Sequence, residues 1–208
     1  MNIRAQRLIR HRLTAAVLLV LVLAGCASTP STATVIRTLF NLPPGHTGFR
    51  NVLVISVAGD YSSRALYERN VAAAFADNPG QVTAYFTVVG RQPVLTRTAL
   101  ETAIQAREFD AVLLTRLKGQ EREELVANRP VGQAFDLFGY DYHELNAPAQ
   151  IERARAITFV TELYSTATKQ KIWAIDALSF DNETATDLIN DQANTVVAQL
   201  RKDKVLAP

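Results

Sequence analysis

The stretch Asn51-Val-Leu-Val-Ile-Ser-Val57, closed by Ala58-Gly59-Asp60, decides the fold. Successive side chains on a strand point to opposite sides, and here both sides are apolar and rich in β-branched residues, so the run reads as a strand buried on both faces. Such a strand needs helices above and below its sheet. The chain supplies one at once: Ser62 or Ser63 is a capping residue, and Tyr67, Val71, Ala74 and Phe75 recur at the helical period until Asn78-Pro79-Gly80 stops it. Val82 to Val89 alternates as a second strand. Thr98-Ala-Leu-Glu101 resembles a capping box that opens a helix through about Arg107, and Asp110 to Leu117 reads as a third strand. A β-α-β-α-β order predicts right-handed crossovers, with helices covering the sheet.

Downstream, the pattern breaks from Lys118 to Gln150 and then resumes. Ala156 to Tyr164 and Lys171 to Phe180 are strand-like runs joined by Ser165-Thr-Ala-Thr-Lys-Gln170, which fits a hairpin and makes the sheet mixed. Thr184 to Lys202 carries Leu188, Val196, Val197 and Leu200 on one helical face, with Arg201, Lys202 and Lys204 near the dipole's negative end. The expectation is one α/β domain over residues 51–208, two or three layers deep, with a mixed sheet of about five strands, a long insertion, a hairpin and a carboxy-terminal helix. Trp173 is expected on a sheet face against helices.

Upstream, residues 35–49 look like an irregular apolar lead-in that turns at Pro43-Pro44-Gly45. Ala27 to Thr34 is small and polar, cannot bury apolar surface, and reads as a flexible tether. Before it, Arg4, Arg7, Arg10 and Arg12 precede an apolar run, Ala15 to Leu23, which is the pattern of an export signal over residues 1–25 and too short for a stable membrane span. Leu23-Ala24-Gly25-Cys26 resembles the lipobox of bacterial lipoproteins, in which the cysteine is acylated and becomes the new amino terminus. That resemblance implies lipidation at Cys26, with residues 26–50 as anchor, tether and lead-in. Each buried methylene contributes about 0.8 kcal/mol, so several acyl chains exceed what anchoring needs. In such lipoproteins an aspartate after the cysteine retains the protein at the inner membrane; Ala27 stands there instead, so the outer membrane, periplasmic face, is expected.

Removal of residues 1–25 leaves 183 residues, an ordinary single domain plus a tether. The removed segment takes four of the 22 basic residues and no acid, so the remainder carries 18 bases against 20 acids, a net charge of −2. A near-neutral domain has no electrostatic footprint for nucleic acid. Cys26 is the only cysteine, and its acylation would leave no thiol for a disulfide, a nucleophile or a zinc-thiolate site.

Beyond the lipobox, Phe109-Asp-Ala-Val-Leu-Leu114 and Thr168-Lys-Gln-Lys-Ile-Trp173 resemble segments of small periplasmic lipoproteins whose domain is like the TolB amino-terminal domain and the curli-secretion lipoprotein. The likeness covers about residues 50 to 205. In those families the first segment leads a strand and the second spans a hairpin; here Thr-Lys-Gln replaces a Thr-Gly-Lys turn. The resemblance implies docking on envelope assemblies and no catalytic residues.

Candidate sites are few. Asp60, Ser62 and Ser63 stand beyond the carboxyl end of the first strand, where ligands of open α/β sheets bind, but the loop lacks phosphate-cradling glycine spacing, and these are ordinary cap and turn residues. His46 and His143 are the histidines outside the signal, and His143-Glu144 lacks a second histidine four residues on, so no zinc motif forms. Neither Gly-x-Ser-x-Gly nor Ser-x-x-Lys occurs. Phe135, Phe138, Tyr140 and Tyr142 cluster within eight residues of a long connection, as partner-binding anchors or as a flap that closes the sheet. No cofactor or metal is expected. The expected function is a non-catalytic lipoprotein, held in membrane lipid by Cys26, that binds or supports an envelope protein assembly; alternatives are a small-ligand or cell-wall-fragment binder and, last, a hydrolase.

Overall fold

The computed structural model describes residues 34–57, 60–78, 80–90, 95–121, 137–138, 156–180 and 184–207. They lie in one compact unit spanning 32–208. The fold is α/β: a mixed six-stranded sheet in the order β1-β6-β5-β4-β2-β3, flanked by helices. The strands are β1 (Thr34–Phe40), β2 (Asn51–Val57), β3 (Gln81–Ala84), β4 (Ala111–Glu121), β5 (Ala156–Ser165) and β6 (Lys171–Phe180). The helices are α1 (Tyr61–Ala73), α2 (Tyr85–Val89), α3 (Arg97–Arg107) and α4 (Ala185–Lys202). Strand β2 is parallel to both β3 and β4, while β4-β5, β5-β6 and β6-β1 are antiparallel.

The alternation in β2 divides the core. Val52 and Val54 join Ala111, Leu113, Leu163, Trp173 and Ile175 beneath α1 and α4. Leu53, Ile55 and Val57 join Val112, Leu114 and Tyr164 on the opposite face, packed by Tyr85 of α2 and Leu100 and Ala103 of α3. Helix α4 offers Ile189, Ala193, Val196, Val197 and Leu200 to the first face, with Leu188 reaching Ile157 and Phe159 farther along. Trp173 is fully buried there, as expected, and its indole N–H donates to Asp203 at 2.8 Å.

Each longer helix begins at a side-chain cap, which fixes its entry angle. The capping residues are Asp60, Thr96 and Thr184, two or three residues before those expected for the first helix and two before that expected for the next.

Two expectations are corrected. The lead-in is not irregular throughout: its first six residues, with Thr34 of the expected tether, form β1, paired to β6 from Thr34↔Ser179 to Phe40↔Ala174, and this gives the sheet its sixth strand. Val82–Val89 is not one strand either. The ladder to β2 ends at Ala84, and Tyr85–Val89 turns into a short helix before Gly90, at φ 71°. Residues 205–207 return to the start of β2, where Phe49 donates to Val205 and accepts from Ala207, both at 2.8 Å. Gly48 makes that approach possible, at φ 83° and packed against the backbone of Leu206 and Ala207.

Candidate functional site

At the carboxyl end of β2, Asp60, Ser62 and Ser63 are brought together, and their geometry is that of a helix cap. The Ser63 N–H donates to one Asp60 oxygen at 2.9 Å and the Ser63 hydroxyl donates to the other at 2.6 Å. These bonds, the hydroxyl's foremost, hold the Asp60 carboxyl below its ordinary range. Ser62 is exposed. Both carboxylate oxygens are therefore committed to the first turn of α1.

Eight residues after Asp60, α1 buries a group that the sequence reading missed. Glu68 is 2% exposed, and its two oxygens accept the Ser56 N–H at 3.0 Å and the Phe86 N–H at 2.9 Å. One side chain thus ties α1 to the end of β2 and to the first turn of α2. Desolvation pushes its carboxyl up to about 7, against the pull of those two N–H groups and of Arg64. Burial also raises the neighbouring Tyr85 hydroxyl, with the Glu68 charge adding to the effect. The legible signal was an acid three residues from Ala65 and from Val71, on the helix face that those buried residues define.

Two further polar groups cross the sheet. On the α1/α4 face the Tyr67 hydroxyl lies 2.7 Å from the Thr115 hydroxyl, which lies 2.9 Å from that of Thr161; burial pushes Tyr67 up to about 12. On the opposite face Glu162, 2% exposed, accepts from Lys171 at 2.8 Å and from the Tyr164 hydroxyl at 3.1 Å, with Arg116 at 3.5 Å. Burial, then the Glu162 charge, raises Tyr164. Asp176 is bonded to Arg37 of β1 at 2.7 Å. Acids inside apolar strand runs, as in Thr161-Glu162-Leu163 and Ile175-Asp176-Ala177, are the sequence signature of such buried pairs.

A cleft of about 390 Å³ opens at the far end of the sheet, lined by Phe75, Asn78, Leu200, Arg201, Lys204 and Leu206. Two of its polar groups hold the chain itself: Arg201 donates to Ala74 O at 2.6 Å and lies over the Phe75 ring, and Asn78 donates to Ala207 O. His46 packs against Phe49, with ring centroids 4.4 Å apart and the planes tilted by 44°. Among the described residues no group of three His, Cys, Asp or Glu side chains could hold a metal ion, and no helix is long and apolar enough to cross a membrane.

Of the aromatic cluster, Phe138 is half-buried, edge-on to Tyr164 at 6.2 Å, with the Lys169 ammonium 5.9 Å from its ring centre; its neighbour Leu137 is fully buried. Phe135, Tyr140, Tyr142, His143 and Cys26 lie outside the described residues. The large apolar side chains exposed among the described residues are Ile36, Leu39 and Phe40, all on β1.

No protein-family model and no curated protein matches this chain. Among solved structures it is similar to the PelC dodecamer from Paraburkholderia phytofirmans, at 12% identity and a TM-score of 0.45, covering 85% of this chain and 100% of that one. A single-substitution variant of the same dodecamer gives 10% identity and a TM-score of 0.43, covering 79% and 96%.

Proposed function

We propose that this protein is an outer-membrane lipoprotein, anchored by acylated Cys26 on the periplasmic face, whose α/β domain supports an envelope assembly by binding another envelope protein without catalysing a reaction. The observation that carries the reading is Leu23-Ala24-Gly25-Cys26 at the end of an arginine-led apolar run, followed by a small polar tether and then the sheet domain. The arrangement of acids supports the non-catalytic part. Asp60, Glu68 and Glu162 each spend both oxygens on backbone N–H groups, a hydroxyl or a lysine of the same domain, so they fix elements in place. A general base needs an oxygen directed at a substrate proton.

Crosslinking of the full chain in its native envelope, followed by identification of what is captured, tests the binding role. Recovery of one envelope protein, reduced in a Tyr140→Ala/Tyr142→Ala double variant whose melting temperature is unchanged, is the expected result. A lowered melting temperature with unchanged recovery would refute docking through this loop and leave it as a flap on the core. For the anchor, Cys26→Ser should abolish incorporation of labelled fatty acid, because serine cannot form the thioether. Continued labelling of that variant in the outer-membrane fraction would overturn the assignment.

A further inference from the structure

We propose that β1 seats edge-on against the phospholipid leaflet that holds the acyl chains, so that the domain contacts the membrane through its terminal strand as well as through its anchor. The inference rests on the reading of Cys26 as acylated. Ile36, Leu39 and Phe40 are 39%, 40% and 51% exposed, and soluble surfaces do not usually collect their large exposed apolar groups on one short strand. Ile36 pairs with Ala177, whose face is that of α1 and α4, and Phe40 with Ala174 on the other face, where the Lys171 ammonium stands 5.4 Å from its ring centre. Leu39 is the extra residue of a bulge between Thr38 and Phe40. The apolar groups thus flank both sides of a sheet edge rather than covering one face.

That distribution and the position of the strand select a lipid surface. No described strand pairs with the outer side of β1, but its bulge interrupts the ladder that an added strand would need, a common device against edge-to-edge pairing. A protein docked on one face would leave the other apolar flank in water, whereas a headgroup layer surrounds an edge from both sides. Water in that layer can still bond the free backbone groups, which the hydrocarbon interior could not. Two cations border the patch, each already paired to a buried acid: Lys171, held by Glu162, beside Phe40, and Arg37, whose side chain is 68% exposed, held by Asp176. Distance completes the case. Eight peptide steps separate Cys26 from Thr34, which limits their separation to about 26–29 Å. The strand bearing the exposed apolar groups is therefore the described element tethered nearest the bilayer.

The test uses the acylated full chain in phospholipid vesicles. Acylation blocks the sulfur of Cys26, so a cysteine introduced by Ile36→Cys, Leu39→Cys or Phe40→Cys is the single free thiol for an environment-sensitive fluorophore. Gln81→Cys, on the strand at the opposite edge of the sheet, is the control. Nitroxide-bearing lipids should quench the β1 labels at least about three-fold more than the Gln81 label. Three independent positions keep the test decisive if one variant unfolds. Vesicle-bound, acylated protein whose β1 labels are quenched no more than the control overturns the inference and leaves the anchor intact. Labels shielded from both lipid-borne and aqueous quenchers show instead that a second copy covers the strand, which also overturns it. A chain that takes up no fatty acid and stays in the aqueous phase overturns the anchor reading and the inference with it.

Discussion

Replacing Glu68 by glutamine is expected to remove most of a pH dependence that this one carboxyl gives the domain. In the native state it is buried, accepts the Ser56 and Phe86 N–H groups, and protonates at about 7 instead of the ordinary 4.5. The folded state therefore binds the Glu68 proton more tightly than the unfolded chain does. Its contribution to stability is fully present below about pH 4.5 and is lost as pH rises through about 7, since stability falls with pH wherever the native state holds more protons. At about 1.4 kcal/mol per pH unit, that interval amounts to about 3 kcal/mol.

Glutamine keeps one acceptor oxygen but turns an amide N–H2 toward the other backbone N–H, leaving that donor unsatisfied at a cost of about 1–3 kcal/mol at every pH. The assay is urea unfolding of both proteins at pH 4.5, 5.5, 6.5 and 7.5, followed by the fluorescence of Trp173, the chain's single tryptophan. Other groups titrate in this range, so the informative quantity is the gap between the two profiles. It should be widest at pH 4.5 and close or reverse by pH 7.5. Parallel profiles would show that Glu68 titrates in its ordinary range and that the two N–H groups outweigh burial.

Other expected outcomes follow from the same contacts. Trp173→Ala removes a fully buried indole and its bond to Asp203, and should cost about 3–5 kcal/mol; an unchanged denaturation midpoint would contradict the packing. Gly48→Ala should cost about 1–3 kcal/mol and raise hydrogen exchange at Ala207, because a methyl at φ 83° meets the backbone of Leu206 and Ala207. Gly45→Ala, at φ 78° with nothing within 4 Å, carries the backbone strain alone and should cost less; equal losses would show that the tail is not pinned there. Leu163→Ala, with its side chain between β5 and the α1/α4 layer, should cost about 2–5 kcal/mol by thermal melt.

The parts of this fold that were legible in the sequence are those whose own residues decide them. Strand β2 is written in a continuous apolar run, the β5-β6 hairpin in two apolar runs each broken by one acid, and α4 in its stripe from Leu188 to Leu200, and each stands within a residue or two of where the pattern puts it. The corrected segments are those decided by a partner distant in sequence. Val82–Val89 has the composition of a strand throughout, yet the chain leaves the ladder after Ala84. There the Phe86 N–H turns to Glu68, 18 residues earlier, and no local propensity encodes that bond.

Strand β1 was hidden for a related reason. Its partner β6 lies about 140 residues away, as the Arg37 to Asp176 pair measures, and a strand that leaves Ile36, Leu39 and Phe40 exposed shows none of the alternation that one buried face imposes. The candidate site follows the same division. The capping geometry of Asp60 and Ser63 is local and could be read, whereas the buried Glu68, Glu162 and Asp176 are defined by what the fold packs around them. An acid within an apolar run marks a group to be neutralised, but only the register identifies the partner, as Arg37 opposite Asp176 and Lys171 beside Glu162 show. The exposure of β1 then carries more weight than its composition alone would. A strand without the alternation of a half-buried edge was still recruited to the sheet, with its apolar side chains left outward at the point where the chain departs toward Cys26. A surface selected only for solubility would have replaced Leu39 and Phe40 with polar residues at no cost to the ladder, because Phe40 pairs through its backbone and Leu39, the bulge residue, has no place in the register.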